Sequence, residues 1–151
     1  MNITIVYKTY RNDLNWLKYS LISCNKFLKE CDIYEIIIYY HDKCKVELLE
    51  ILEEVNLEFR YKIIPVTYYV HGYLQQQITK LTCYNDVQTD YILFIDSDAI
   101  FTKPISQNLL FDADGKIKWY ILNKTEFNSK REEWRVWNNA VSKTTKCTMT
   151  N

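Results

Sequence analysis

The sequence predicts a three-layer α/β domain built on a mainly parallel sheet, and two observations carry that expectation. Strand-like and helix-like periods alternate from Ile3 to Asp98, the order that lays helices on both faces of a parallel sheet. The run at residues 35–40 is also continuously apolar where a half-exposed strand would alternate, so it needs cover on both faces.

Residues 3–7 form a short β-branched run fit for a buried strand. Asn12 or Asp13 can cap the helix that follows, whose Leu14, Leu17, Leu21, Cys24 and Leu28 recur every three or four positions. Residues 35–40 are the second strand, and its unbroken Ile-Ile-Ile-Tyr-Tyr run belongs inside a covered sheet. The second helix sets Val46, Leu49, Leu52 and Val55, with Leu48 beside them, against Glu47, Glu50, Glu53 and Glu54 on the wet side. Residues 59–66 are the third strand; Pro65 near its end marks an edge or a bend, because proline has no amide to donate. After Gly72, Leu74, Ile78 and Leu81 mark a third amphipathic helix. The next strand, 91–95, is the most hydrophobic in the chain and runs directly into Asp96-Ser97-Asp98.

Beyond Pro104 the pattern changes. Asp114-Gly115 is a tight-turn signal between 109–111 and 117–122, which predicts a hairpin. A last helix carries Trp134, Trp137 and Val141 on one side, where tryptophans at helical spacing read as core. The expected organisation is one domain over residues 1–141 with a frayed tail at 142–151.

Composition removes several function classes. The only glycines are Gly72 and Gly115, so the glycine-rich loops of Rossmann dehydrogenases and P-loop NTPases are absent. The 19 basic and 19 acidic residues cancel, but residues 1–115 hold 11 basic against 16 acidic groups and residues 116–151 hold 8 against 3. A mildly acidic body without a basic stripe argues against nucleic acid as a partner. Five cysteines, Cys24, Cys31, Cys44, Cys83 and Cys147, show neither zinc spacing nor an even disulfide count, and read as reduced packing thiols. No stretch approaches the ~20 apolar residues of a bilayer span, so no integral membrane segment is expected and a reducing cytosol is the expected location.

Asp96 and Asp98 are the residues that point to chemistry. In an open α/β sheet, ligands bind beyond the carboxyl ends of the strands. Two carboxylates at such an end cost desolvation unless a cation or donors meet them, and hard oxygens at this spacing suit Mg²⁺ or Mn²⁺. The alternative is a solvated loop. A second Asp-x-Asp, Asp112-Ala113-Asp114, reads as a turn because Gly115 follows it. A Walker B aspartate needs a Walker A partner, which is missing. A phosphatase of the haloacid dehalogenase type places its Asp-x-Asp on the first strand, with further motifs far downstream, whereas 53 residues follow Asp98. A nucleotide-sugar transferase, in which such a pair holds a divalent ion against a diphosphate, meets neither objection. Gln76 and Lys80, four apart on one helical face, could reach one ligand together, or could line a plain solvated face.

With these residues in view, the chain resembles the GT-A-type glycosyltransferases, the nucleotide-diphospho-sugar transferase family. Residues 3–10 (Ile-Thr-Ile-Val-Tyr-Lys-Thr-Tyr) are similar to its first strand and donor-base loop, and residues 91–98 to its Asp-x-Asp strand. Residues 72–81 resemble the Gly-aromatic-x-x-Gln-Gln-x-x-Lys helix of a branch that includes small sugar transferases of large algal viruses. The resemblance spans about residues 3–122 and implies a GT-A fold that is short at its C-terminal end. It implies a UDP- or GDP-sugar donor, a glycan or glycoprotein acceptor, and Mn²⁺ or Mg²⁺ on Asp96 and Asp98. It also implies donor contacts from Thr9, Tyr10, Arg11, Asp42, Gln76, Lys80, Asp96 and Ser97. The later part of family members supplies the acceptor pocket, often another metal ligand and any catalytic base; here no histidine follows Asp98, and Glu126, Glu132 and Glu133 are the only acids after Asp114. A non-catalytic nucleotide-sugar-binding or structural domain is therefore the alternative to a transferase.

Overall fold

The computed structural model describes residues 1–67 and 72–118. The chain divides into two units, Met1–Lys116 and Ile117–Asn151, and of the second only residues 117 and 118 are described. In the first unit, strands β1 (Ile3–Lys8), β2 (Ile33–His41), β3 (Tyr61–Val66) and β4 (Tyr91–Asp96) form one sheet in the order β3-β2-β1-β4, with every pair parallel. Helices α1 (Leu14–Phe27) and α2 (Lys45–Val55) connect β1 to β2 and β2 to β3; α3 (Gly72–Thr82) precedes β4, and the short α4 (Gln107–Leu110) follows it.

Strand alternation sorts the core into two layers. On one face Ile5 and Tyr7 of β1, Ile36, Ile38 and Tyr40 of β2 and Ile95 of β4 pack with Leu17, Leu21 and Leu28 of the α1 segment and with Leu48 and Leu52 of α2. On the other, Val6, Ile37 and Tyr39 meet Cys83, just past α3. The α1 repeat Leu14, Leu17, Leu21, Cys24, Leu28 is buried as its spacing predicted. Cys24, Cys31, Cys44 and Cys83 are free and buried.

Several sequence expectations are corrected. Neither Asn12 nor Asp13 caps α1 through its side chain; a 3-10 turn over Arg11–Asp13 leads into the helix and supplies backbone bonds in place of a side-chain cap. In α2 the buried face is Leu48 and Leu52, with Ile51 and Val55 partly buried, whereas Val46 and Leu49 face solvent. In α3 the inward residues are Gln75 and Thr79, and Leu74, Ile78 and Leu81 are exposed, Leu81 at 76%. The reason is rotational: Gln76 and Lys80 reach Asp96, and at 3.6 residues per turn Leu74 and Ile78 then lie on the opposite side of the helix.

Among the described residues β3 is an edge strand, one of the two readings Pro65 allowed. β4, the most hydrophobic strand by sequence and expected to be buried, pairs among the described residues with β1 alone, and Phe94 is exposed. Of the expected hairpin, the described residues include the turn. Asp112 Oδ1 accepts from the amides of Asp114 (3.0 Å) and Lys116 (2.8 Å), and Gly115 supplies the positive φ of 79° that the bend requires. The segment before it is not a strand, since Leu109 and Leu110 belong to α4. The expected strand beyond residue 118, the helix bearing Trp134, Trp137 and Val141, the tail 142–151, Cys147 and Glu126, Glu132 and Glu133 all lie outside the described residues.

Candidate functional site

Because all four strands run the same way, their carboxyl ends share one rim. The strand order places a switch point between β1 and β4: the chain leaves β1 toward β2 on one side, while β4 is added on the other. A crevice opens where connections diverge in this manner. Lys8 and Asp96, the last residues of β1 and β4, are direct register partners across it.

Asp96 is the point of convergence. Its Oδ1 accepts from Lys80 Nζ at 2.8 Å and from Gln76 Nε2 at 3.2 Å. The Lys80 side chain is 23% exposed and that of Asp96 56%, so solvent screens the pair and its net contribution to stability is small. Of the two carboxylates expected to face one metal, Asp96 has one oxygen engaged by a lysine and an amide. Asp98 is exposed, and among the described residues no hydrogen bond or ion pair engages its carboxylate. Its charge is felt nearby: burial, and secondly the proximity of Asp98, raise the pKa of Asp13. No group of three or more histidine, cysteine or acidic side chains able to hold a metal occurs among the described residues.

Ser97 is buried and its hydroxyl donates to the Lys8 carbonyl at 3.3 Å, tying the turn after β4 to the end of β1. Thr9 is fully buried; its amide donates to Tyr39 O at 2.9 Å and its hydroxyl to Tyr10 O at 3.4 Å. Tyr10 is half-buried, and its hydroxyl donates to Gly72 O at the start of α3. Arg11 points to α2, where it pairs with Glu47 at 2.8 Å. Asp42 closes the turn after β2: its Oδ1 accepts from the Lys43 amide at 2.9 Å and lies 2.9 Å from His41 Nδ1. That same nitrogen is 3.1 Å from the Lys43 amide. It accepts from the amide when unprotonated and donates to Asp42 when protonated. The fold thus joins Gln76, Lys80 and Asp96 in one cluster and Ser97, Lys8, Tyr10 and Gly72 in another, while Arg11 bonds to α2 and Asp42 bonds within the turn after β2.

Three contributors escaped the sequence reading. Lys8 is only 2% exposed. Its ammonium donates to Thr9 O at 3.2 Å and lies 4.6 Å from the centroid of the Tyr10 ring. Burial lowers its pKa from the ordinary 10.5 to about 8, with Cys44 opposing the shift. The legible signal was a charge closing an otherwise apolar strand.

Ser20 and Ser23 interrupt the apolar stripe of α1, and both hold the loop that follows Asp98. Burial pushes the Tyr7 phenol far above its ordinary range, so it stays protonated. It lies 2.8 Å from Ser20 Oγ, which donates to Ala99 O at 2.5 Å. Ser23 Oγ accepts from the Phe101 amide at 3.0 Å. Helix α1 therefore positions the Asp98 loop through hydroxyls. A cavity of about 330 Å³ opens beside that loop, lined by Phe94, Ile100 and Phe101 with Asp96 on its wall.

Residues 3–145 match the model of a family of unknown function, DUF6492. The chain belongs to that family. No curated protein matches the DUF6492 chain. A crystal structure of S. aureus TarS, residues 1–349, is similar at 19% sequence identity with a TM-score of 0.51. The likeness covers 76% of this DUF6492 chain and 31% of the TarS chain, so this chain spans less than a third of that structure. At such an identity the likeness is one of fold alone. It bears out the expected fold class: an α/β domain with a parallel sheet flanked by helices, similar to that of TarS. Among the described residues no helix is long and apolar enough to cross a membrane.

Proposed function

We propose that this DUF6492 protein binds a UDP- or GDP-sugar at the carboxyl rim of its sheet and transfers the sugar to a hydroxyl of a glycan or glycoprotein acceptor. The observation that carries the reading is the convergence of Gln76 and Lys80 on Asp96 at the β1/β4 switch point, in a fold of glycosyltransferase type. The likeness of the glutamine helix to small viral sugar transferases supports the same donor class.

The donor set suits a divalent ion in part. Asp98 has no competing partner among the described residues, and Oδ2 of Asp96 is left over by Lys80 and Gln76. Two hard oxygens of this kind, with a diphosphate and waters, would complete the shell of Mn²⁺ or Mg²⁺. A metal bound there would supply Lewis-acid stabilisation of the departing diphosphate. The chain's own part is to bring charge and donors to the same place. Lys80 leaves a cheap, exposed pair to face an anionic group, Gln76 offers an amide beside it, and Ser97 keeps the turn bearing Asp98 fastened to β1. Tyr10, Arg11 and Asp42 would line the nucleoside end of the donor, with the buried Thr9 behind Tyr10.

The Lys80–Asp96 pair favours a second version of the site, in which the ammonium faces the diphosphate without a metal. Calorimetry and thermal shift with UDP, GDP and their sugars, with and without Mn²⁺, distinguish the two. Stabilisation that needs Mn²⁺ and is lost in Asp98→Asn supports the metal version; stabilisation indifferent to Mn²⁺ but lost in Lys80→Met supports the lysine version. Release of free nucleotide from the donor separates a transferase from a binding domain. If no nucleotide stabilises the protein under either condition, the donor-site reading is wrong.

A further inference from the structure

The buried Lys8 ammonium is linked to the Asp96 cluster by a short series of contacts. It lies 4.6 Å from the centroid of the Tyr10 ring. The Tyr10 hydroxyl donates to the carbonyl of Gly72, the first residue of α3. Helix α3 in turn carries Gln76 and Lys80 to Asp96. The Tyr10 ring also stands 3.6 Å from where a Cβ on Gly72 would be, ordinary contact distance, so ring and helix start are already packed together. Few apolar contacts hold α3 in place, because Leu74, Ile78 and Leu81 face outward. Its position therefore depends more than that of α1 or α2 on polar ties at its ends.

We propose that Lys8 is a positioning residue of the donor site: its cation fixes the Tyr10 ring, Tyr10 fixes the start of α3, and α3 presents Gln76 and Lys80 to the ligand. A cation over a ring face, shielded from water, is attracted more strongly than an exposed one. This inference rests on the donor-site reading for its functional half, and its structural half stands apart from that reading.

Both halves are tested with Lys8→Met, which keeps the stem and removes the charge, Lys8→Arg, which restores a cation, Tyr10→Leu and the Lys8→Met/Tyr10→Leu double variant. Amide hydrogen exchange comes first. In Lys8→Met and in Tyr10→Leu the α3 amides should exchange about tenfold faster while those of α1 and β1 do not speed up, and the double variant should add little more. Lys8→Arg should return α3 toward the wild-type rate. Unchanged α3 exchange, a uniform increase over the whole domain, or additive single effects would each overturn the proposal. The second measurement is the affinity for UDP and GDP in the presence of Mn²⁺, expected to fall about tenfold in Lys8→Met and to recover in Lys8→Arg. Faster α3 exchange with unchanged affinity rejects a role in the donor site. If wild type binds neither nucleotide, the donor-site reading fails by itself, and the exchange data still decide whether Lys8 positions α3.

Discussion

Replacing Lys8 by methionine removes an ammonium that the fold keeps from water and retains a stem of similar length. Burial holds the Lys8 pKa at about 8 against the ordinary 10.5, and at about 1.36 kcal/mol per unit the charged form costs the folded state on the order of 3 kcal/mol. The contact with Tyr10 and the bond to Thr9 O offset some of this, about 1 to 2 kcal/mol together, so the figure is an upper bound. The sign follows from proton linkage. Below about pH 8 both folded and unfolded chains hold the proton and the cost is carried in full. Between about pH 8 and 10.5 the unfolded chain keeps a proton that the folded chain has released, so stability rises with pH. Wild type should accordingly gain about 1 to 2 kcal/mol relative to Lys8→Met as pH rises from about 7 to about 10.5. Urea unfolding followed by circular dichroism, at half-unit pH steps on both proteins, measures the difference, and groups common to the two cancel. Parallel stability curves, or a difference that shrinks with pH, would refute a desolvated ammonium at this position.

Three further outcomes test the packing around the site. Leu21→Ala opens a hole between α1 and the sheet where the side chain is fully buried, and should cost about 2 to 5 kcal/mol in denaturant unfolding. Ser20→Ala takes the donor from Ala99 O and a partner from the Tyr7 hydroxyl. A loss of about 1 to 3 kcal/mol is expected, with faster amide exchange at residues 99–101; an unaltered loop would deny α1 its role there. Leu81→Lys replaces an outward apolar residue of α3 and should change stability by no more than about 0.5 kcal/mol. A loss of several kcal/mol would mean that the helix buries the face its sequence pattern suggests.

Much of the architecture was legible in local pattern. The continuous apolar runs before Lys8 and around 36–40 need cover on both faces, and that alone implies a parallel sheet between helices. The α1 stripe was read correctly because it packs against the broad hydrophobic face, where burial and periodicity agree. Helix α3 was misread for the opposite reason. Its orientation is set by what Gln76, Lys80 and Tyr10 hold, and a hydrophobic pattern carries no information about a distant carboxylate. Of the candidate site, the Asp96-Ser97-Asp98 turn and the α3 pair were visible as a strand-end motif and a four-residue spacing. Lys8 was not, since a lone lysine at a strand terminus looks solvated until its neighbours are known.

The sequence by itself determined the class of the DUF6492 domain, the absence of glycine-rich phosphate loops and the placing of two carboxylates after an apolar strand, because these depend on residues close together in the chain. Only the tertiary structure decided that β1 and β4 are neighbours, that Lys80 meets Asp96, and that Lys8 is enclosed beneath Tyr10. Those are contacts between segments far apart in sequence. They are selected when the strand order is chosen, and the energy that selects it comes from burial of the whole sheet, in which the site residues themselves have little share.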